Sequence, residues 1–400
     1  MYKKLSIALI IGLLCLSPIA AENWDSFAGD VSHTGYRSGN SDFVTNLWTL
    51  GIGSPIHSSP AIYDDILYVV SQDGILKAVD METGEEKWNL DLQSPTNSSP
   101  IVHSNRLYIG CEDGLKAVNI NNHEIVWDYD CDRVESTPFF YEDVIYFGSN
   151  DGHIYGLNKD GKVEFNKKLD GKLKSSPVIV DDNIYIGSTN SKIYSVGIDK
   201  ETNWEYTTGD EILSSPTYVS DRIIVGSTDG NVYCINESDG SLEWKENLND
   251  DVISSPTADK HDNSVYIGSN EGNLTCLDIR DGTIKWSFHT GGKVQSTAAL
   301  KDNLVAFGSE NGYLYVLNKY TGQEEFNYNP GTFLFNSAIT SSAVMNGNSM
   351  FFGDDSGQIY SLNIEKYEVP GSMQLFYSIG VLIIVIIVAV VVLRKIRSRK

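Results

Sequence analysis

The sequence has few of the residues that build metal and redox centres. Its 400 residues include five cysteines, and no two of them show the Cys-x-x-Cys spacing of a zinc or redox site. The seven histidines are dispersed, without a His-x-His or His-Glu-x-x-His pair, and neither a Gly-x-Ser-x-Gly elbow nor a Walker loop occurs. These absences argue against metal-dependent hydrolysis, nucleophilic hydrolysis and phosphoryl transfer.

Basic residues are also few. The chain has 30 lysines and arginines against 53 aspartates and glutamates. Seven of the basic residues lie at the two ends, so the segment between them has 23 basic and 53 acidic residues and a formal charge of −30. Such a surface repels nucleic acid, and we expect no nucleic-acid partner. It favours solubility and attracts cations or basic partners.

Long apolar runs occur only near the two ends. Residues 1–21 have the basic start, apolar centre and small-residue end of a secretory signal peptide. The apolar run 375–393 is long enough for one transmembrane helix, and the basic residues 394–400 predict a tail in the cytoplasm. We therefore expect a single-pass cell-membrane protein with its N-terminal part outside. Residues 22–47 would be a lead-in segment, and residues 365–374 a juxtamembrane linker.

The region between these ends consists of eight repeats of about forty residues. One marker of the repeat is a Ser-Ser-Pro or Ser-Thr-Pro triplet, whose last two copies end in alanine instead. The triplets start at Ser58, Ser98, Ser136, Ser175, Ser214, Ser254, Ser296 and Ser341. The second marker is an aromatic residue in the same phase, at Trp48, Trp88, Trp127, Phe165, Trp204, Trp244, Trp286 and Phe326. Two independent markers thus agree on one period.

Each repeat reads as four short strands separated by turns. In the first repeat the alternating segments are 61–63, 66–70, 75–79 and 86–90. Glycines such as Gly74 and Gly84 stand in the second and third turns, where a tight hairpin needs a positive φ. The repeat therefore predicts four antiparallel strands.

A four-stranded sheet with two apolar faces cannot bury both of them alone, so the repeats must stack around an axis. We predict an all-β fold, an eight-bladed β-propeller of four-stranded antiparallel blades over residues 48–364, followed by the one C-terminal transmembrane helix. Trp48 precedes the first complete repeat, and no fourth strand follows the last one. The N-terminal strand is therefore expected to complete the eighth blade and close the ring, which removes exposed sheet edges. The eight aromatic residues would wedge between neighbouring blades.

The repeat resembles the tryptophan-docking motif of the pyrroloquinoline-quinone-like (PQQ-like) propellers. The residues that carry the resemblance are Ala78, Asp80, Thr83, Gly84 and Trp88, with partial copies at Asp278, Gly282 and Trp286 and at Asn318, Thr321 and Gly322. The opening residues Trp24, Phe27, Gly29, Asp30, His33, Thr34 and Gly35 are also similar to the start of such domains. The resemblance implies the propeller fold, but it covers both enzymes and scaffolds.

The enzymes of this family are quinoprotein alcohol and glucose dehydrogenases, whose quinone lies on the propeller axis with a calcium ion and a catalytic aspartate. This chain lacks the adjacent cysteines of the alcohol enzymes, the Cys-x-x-Cys-His haem site and long insertions between strands. We therefore expect no cofactor and no catalysis, and a binding or scaffold module for a protein or a cell-surface polymer. A PQQ-dependent dehydrogenase and an envelope-assembly scaffold, similar to the family's outer-membrane assembly lipoprotein, remain the alternatives.

Four cysteines follow the signal peptide, and an oxidising compartment would allow disulfides between them. The sequence places Cys111 and Cys131 at the ends of the second and fourth strands of one blade, on the same face, which makes them the candidate disulfide. Cys234 and Cys276 occupy equivalent positions in neighbouring blades, where the separation is expected to be too long.

Acidic residues recur in the hairpin between the second and third strands. They are Asp73, Asp113, Asp151, Asp229 and Glu271. Oxygen ligands suit calcium, but aspartate before glycine is also typical of a tight hairpin, and blades are too far apart to share one ion. Turn chemistry is the favoured interpretation, with no metal site.

Overall fold

A computed structural model of the protein describes residues 36–37, 44–331 and 336–364. The chain forms eight four-stranded antiparallel sheets in a ring, which confirms the all-β propeller. Blades 1 to 4 consist of Ala61–Tyr63, Ile66–Val70, Ile75–Asp80 and Glu86–Asp91; Ile101–His103, Arg106–Cys111, Gly114–Asn119 and Glu124–Asp130; Phe139–Tyr141, Val144–Gly148, His153–Asn158 and Val163–Lys168; and Val178–Val180, Asn183–Gly187, Lys192–Gly197 and Thr202–Thr207.

Blades 5 to 8 continue the same order. Their strands are Thr217–Val219, Arg222–Gly226, Asn231–Asn236 and Leu242–Asn247; Thr257–Asp259, Ser264–Gly268, Asn273–Asp278 and Ile284–His289; Ala299–Lys301, Leu304–Gly308, Leu314–Asn318 and Glu324–Tyr328; and Val344–Asn346, Ser349–Gly353, Gln358–Ile364 and Val44–Gly51. First strands of successive blades contact each other, so they surround the axis, while the fourth strands form the outer rim.

The N-terminal strand closes the ring, as the sequence predicted. Val44–Gly51 is the outer strand of blade 8 and pairs antiparallel with Gln358–Ile364, the last strand of the propeller. In this register Val44 lies opposite Ile364, so the chain enters and leaves the propeller at neighbouring points. We call the face with these two points the tail face. The opposite side, the loop face, has the connections between second and third strands and from each blade to the next.

A short segment before the propeller pairs with its inner edge. The backbone of Tyr36–Arg37 runs parallel to the first strand of blade 7, opposite Leu300 and Lys301. First strands form the inner edge of the ring, so this segment lies in the axial opening. The repeat gave no signal for it, because the pairing needs only free backbone groups on the inner strand.

The predictions made for the two ends of the chain fall outside the described residues. They are the signal peptide 1–21, most of the lead-in segment 22–47, the linker 365–374, the transmembrane helix 375–393 and the tail 394–400. Within the ranges that the structure covers, no helix could cross a bilayer. Each of these assignments therefore stays a prediction.

All eight outer strands contain a β-bulge next to the repeated aromatic position. In blade 8 the pairing skips Leu47, and in blade 2 it skips Val126; these side chains are exposed. A bulge twists the outer strand and interrupts the row of free backbone groups that another chain could pair with.

The Ser-Ser-Pro triplet joins the blades around the axis. In six of the eight blades its first hydroxyl donates within the blade; Ser175 Oγ, for example, donates to the Gly187 carbonyl at 3.0 Å and accepts the Gly187 N–H at 2.8 Å. In blades 2 and 6 it donates to a carbonyl of the next blade instead. Its second hydroxyl accepts a backbone N–H from the preceding blade. These bonds join Ser59 to Ser99, Thr137 to Ser176, Ser176 to Ser215, Ser215 to Ser255 and Thr297 to Ser342, at 2.8–2.9 Å.

Replacing Ser175 with alanine should lower the free energy of unfolding by about 2 kcal/mol, since it leaves a buried N–H and a buried carbonyl of Gly187 without this partner. Urea denaturation measures the change. The control is Ser241→Ala, which removes a hydroxyl bonded to Asp239 in an exposed turn. Equal effects of the two substitutions would contradict the structural role of the triplet.

Candidate functional site

The repeated aromatic residues join each blade to the next one. Five indole N–H groups donate to a backbone carbonyl in the third hairpin of the following blade, at 2.8–3.1 Å. The pairs are Trp48 with Met81, Trp127 with Lys159, Trp204 with Glu237, Trp244 with Ile279 and Trp286 with Lys319. Phe165, Trp204, Trp244 and Trp286 are buried, and Trp48, Trp88, Trp127 and Phe326 are half-buried.

The third-hairpin glycine provides the surface on which each indole lies. A Cβ on Gly84, Gly161, Gly240, Gly282 or Gly322 would come within 2.6–2.9 Å of the indole of the preceding blade, and each of these glycines has a φ between 68° and 76°. Glycine is therefore required twice at this position, for its backbone angle and for its missing side chain.

Two blades have a larger residue at the glycine position. In blade 2 it is His123, whose ring stacks on Trp88 with centroids 4.6 Å apart. In blade 4 it is Lys200, whose ammonium lies 5.7 Å from the ring centre of Phe165. Phe326 faces blade 8, where the third hairpin is replaced by the two ends of the propeller chain.

The candidate disulfide is not formed. All four described cysteines are free thiols. Cys111 packs in the cluster between blades 1 and 2, whereas Cys131 packs against the cluster between blades 2 and 3. The expectation of a shared face was wrong because a bulge between Ile125 and Trp127 shifts the register by one residue, which moves Cys131 to the opposite face.

The cysteines are poorly suited to nucleophilic chemistry. Burial raises the pKa values of Cys111, Cys131 and Cys234 to about 12, and that of Cys276 to about 11. A thiol with such a pKa is protonated at neutral pH, and the thiolate is the reactive species.

The acidic hairpin residues act within their own turns. Asp151 accepts the His153 N–H and the Tyr155 hydroxyl, both at 2.9 Å. Asp229 accepts the Tyr233 hydroxyl at 2.5 Å. Burial alone would raise the pKa of Asp229, but the hydrogen bonds to its carboxylate hold that pKa below the usual value. Within the described ranges no three His, Cys, Asp or Glu side chains converge in a way that could hold a metal ion.

The mouth of the axial opening on the loop face is lined by one residue from each blade junction. Each residue comes directly before a Ser-Ser-Pro-type triplet, and we call the set the mouth ring. Its members are His57, Asn97, Glu135, Lys174, Leu213, Ile253, Gln295 and Thr340. Seven of them are half-buried and Asn97 is exposed. Leu213 and Ile253 form an apolar sector, and the other six members are polar.

Ion pairs and hydrogen bonds join the polar members of the mouth ring. The Lys174 ammonium lies 3.2 Å from Glu135, which also accepts the Asn150 amide at 3.3 Å. Arg133 bridges Glu135 and Glu112. This side of the ring thus presents alternating charges over blades 2 to 4.

A second polar group lies where blades 8 and 1 meet. His57 Nε2 is 3.5 Å from an Asp355 carboxylate oxygen that also accepts the Thr340 hydroxyl at 2.9 Å. The neighbouring Ser58 hydroxyl donates to the Val70 carbonyl instead of to His57. The arrangement therefore does not activate Ser58 as a nucleophile.

A cavity of about 320 Å³ opens beside the mouth ring, between blades 1 and 2. Its lining includes Gln72, Asn97, Glu112 and Arg133. Blade 2 has a hairpin with only two residues between Cys111 and Gly114, whereas blade 3 has four between Gly148 and His153. Because this hairpin is shorter, blade 2 projects less far from the loop face than blade 3 does.

Sequence reasoning missed the mouth ring because the eight residues share a position and no chemistry. The triplets that follow them were evident, and a comparison of the residues before each triplet would have found the set. The location of these residues, half-buried at the mouth of the axial opening, is evident only once the ring is closed.

Comparisons with known proteins agree with this architecture. A family model described as outer membrane protein assembly factor BamB matches residues 45–129, 101–211 and 197–374. No match was found among curated proteins.

Among solved structures, BamB from Moraxella catarrhalis is 16% identical, covers 80% of this chain and 100% of its own, and has a TM-score of 0.68. The computationally designed protein Ika8 is 19% identical over 80% of this chain and 99% of its own, with a TM-score of 0.70. The quinohemoprotein alcohol dehydrogenase from Comamonas testosteroni is 12% identical over 87% of this chain and 82% of its own, with a TM-score of 0.73. These likenesses show the fold. Together with the family match, they establish that the chain belongs to the PQQ-like propeller family of the outer membrane protein assembly factor BamB.

Proposed function

We propose that the protein is a non-catalytic, membrane-anchored binding or scaffold module that recognises a protein or a cell-surface polymer outside the cytoplasm. The observation that carries the proposal is the mouth ring, a set of eight different side chains on a constant framework. Variable residues at one position of a rigid scaffold are suited to recognition. A protein partner is the preferred version, because the matching family is named for an assembly factor.

The position of the chain ends supports this orientation. The propeller begins at Val44 and ends at Ile364 on the tail face. If the predicted helix 375–393 spans the membrane, the linker emerges from that face. The loop face and its mouth ring would then point away from the bilayer, where a partner can reach them.

The dehydrogenase alternative has less support from the side chains. A quinone site with calcium needs converging oxygen ligands and an available carboxylate near the axis. Glu135, the acidic member of the mouth ring, is engaged by Lys174 and Asn150, and the adjacent sector is formed by Leu213 and Ile253. Among the described residues no group of three His, Cys, Asp or Glu side chains could hold a metal ion, which gives that cofactor no support, and we derive no reaction from it. Dye reduction over an alcohol and sugar panel, after addition of quinone and calcium, tests this alternative.

A charge exchange in the mouth ring tests the binding proposal. The double variant Glu135→Lys with Lys174→Glu keeps an ion pair but reverses the local field. We expect it to reduce the capture of partners from the protein's own cell envelope by at least tenfold, because charge complementarity governs such recognition. Full-length protein is used as bait, and captured material is quantified against wild type.

The matched control exchanges an ion pair elsewhere. Arg222 and Glu243 lie 2.6 Å apart at the tail-face end of blade 5, so the variant Arg222→Glu with Glu243→Arg has the same chemistry without touching the ring. Thermal melting confirms that both variants are folded. Equal capture by wild type and both variants would rule out the mouth ring as the recognition surface.

A further inference from the structure

A second cavity lies on the tail face, between blades 2 and 3, and has a volume of about 590 Å³. Small-molecule sites are typically clefts of about 300–1,000 Å³ with a few converging polar groups. We propose that this cavity binds a neutral sugar unit of a glycan. The inference concerns the face opposite the mouth ring, so it does not depend on the function proposed above.

An aromatic surface forms one part of the cavity. The rings of His103 and Phe140 stack with centroids 3.6 Å apart and an interplanar angle of 18°. At the position of Phe140, blades 1 and 4 have the buried residues Ile62 and Ile179, whereas Phe140 is only half-buried. Aromatic faces are electron-rich and attract the weakly positive C–H face of a sugar ring.

A hairpin of blade 3 holds polar groups at the edge of the cavity. The carbonyl of Lys159 accepts the Trp127 indole N–H at 2.9 Å and is also bonded by Arg106. The backbone of Lys159 is therefore fixed from two sides. Its ammonium has no hydrogen-bond or ion-pair partner among the described residues. The fixed backbone lowers the backbone part of the ordering cost of binding, and the ammonium is available as a donor.

The carboxylate of Asp160 is also available. In blade 4 the equivalent residue, Asp199, accepts the Glu201 N–H of its own turn at 3.0 Å. In blade 3 the corresponding N–H, that of Lys162, goes to Asn158 Oδ1 at 3.1 Å. Asp160 therefore accepts no backbone N–H of its turn, and its carboxylate makes no hydrogen bond or ion pair with the described part of the chain.

The balance of charge selects a neutral ligand. Asp143, Asp160 and Glu164 line the cavity together with Arg106 and Lys159. The carboxylates disfavour an anion, and the two basic groups disfavour a simple cation. A sugar unit can instead donate hydroxyls to the carboxylates and accept from the ammonium, and such charge-assisted hydrogen bonds are stronger than neutral ones.

The test uses full-length protein, purified in a detergent without a sugar headgroup, on an array of neutral oligosaccharides. Titration calorimetry then measures the affinity for the strongest binder. Phe140→Ile introduces the residue that blades 1 and 4 have at this position, so it removes the Phe140 ring from the aromatic surface while keeping an apolar side chain. Asp160→Asn keeps the shape of the carboxylate. Asp199→Asn is the matched control in blade 4, and thermal melting verifies folding of all three variants.

We expect at least one neutral oligosaccharide to bind, with affinity at least tenfold weaker in Phe140→Ile and in Asp160→Asn and unchanged in Asp199→Asn. The proposal is overturned if no neutral oligosaccharide binds, or if binding persists unchanged in the first two variants. Spermidine is included as a cationic probe. If it binds more tightly than every sugar, and Asp160→Asn abolishes that binding, the cavity is a cation site and the sugar assignment is wrong.

Discussion

Replacing Trp48 with alanine should lower the free energy of unfolding by about 3 kcal/mol, a value within the range for aromatic truncation in a packed interface. Trp48 lies on the strand that closes the ring. Its indole donates to the Met81 carbonyl at 3.1 Å, covers Gly84 and approaches the ring of Phe351 with centroids 5.8 Å apart. One side chain thus contacts both blade 8 and blade 1. Urea denaturation measures the loss.

The neighbouring residue provides the control. Leu47 is on the same strand, is skipped by the bulge and has a relative exposure of 48%, so Leu47→Ala should change stability by less than about 0.5 kcal/mol. Hydrogen exchange adds a local measurement. In Trp48→Ala the amides of Gln358–Ile364 should exchange faster, because the strand that pairs with them is held less firmly. Unchanged stability and exchange in Trp48→Ala would show that the ring does not depend on this strand.

Most of the fold could be predicted because its determinants are local and repeated. Turn residues and alternating apolar positions each indicate the structure of a few neighbouring residues. Eight copies at a fixed period remove the ambiguity that a single copy would have. Ring closure followed from a simple comparison, since Trp48 is a fourth-strand residue with no preceding strands in its own repeat. The pairing of Gln358–Ile364 with Val44–Gly51 confirms it.

The errors and omissions arise where one residue changes the geometry. The bulge near Trp127 shows no distinctive sequence signal, yet it inverts the face of every residue that follows, including Cys131. The tail-face cavity lies beside a blade 3 hairpin that is one residue shorter than its counterpart in blade 1, eight residues from Asn158 to Phe165 inclusive against nine from Asp80 to Trp88. Such differences were visible, but their spatial consequence depends on the neighbouring blade.

Removing the ammonium of Lys319 should destabilise the protein even more than the loss of Trp48, by about 3–5 kcal/mol. Lys319 belongs to blade 7 and reaches into blade 6, where its ammonium lies 2.6 Å from Asp259 and 2.7 Å from Asp262. The side chains of Lys319 and Asp259 are 3% and 1% exposed. Lys319→Met would therefore leave a buried carboxylate without its cation. The control Lys192→Met breaks the more exposed pair with Glu205, which solvent screens, and should cost much less.

The pH dependence of this difference identifies the ion pair. Burial opposes ionisation of Asp259, but the hydrogen bond from Lys319 holds the pKa of Asp259 below the ordinary 3.8. Burial also opposes ionisation of Lys319, but its bonds to Asp259 and Asp262 raise the pKa of Lys319 above 10.5. The stabilisation is thus complete between these two ordinary values. It disappears as the pH falls through the lowered pKa of Asp259, or rises through the raised pKa of Lys319. Urea denaturation of wild type and Lys319→Met should show the largest difference near neutral pH, and a smaller one in acid, where protonation of Asp259 removes the uncompensated charge of the variant. A difference that stays the same at the acid limit of folding would mean that Lys319 stabilises the interface by packing and by the Trp286 bond to its carbonyl, without the ion pair.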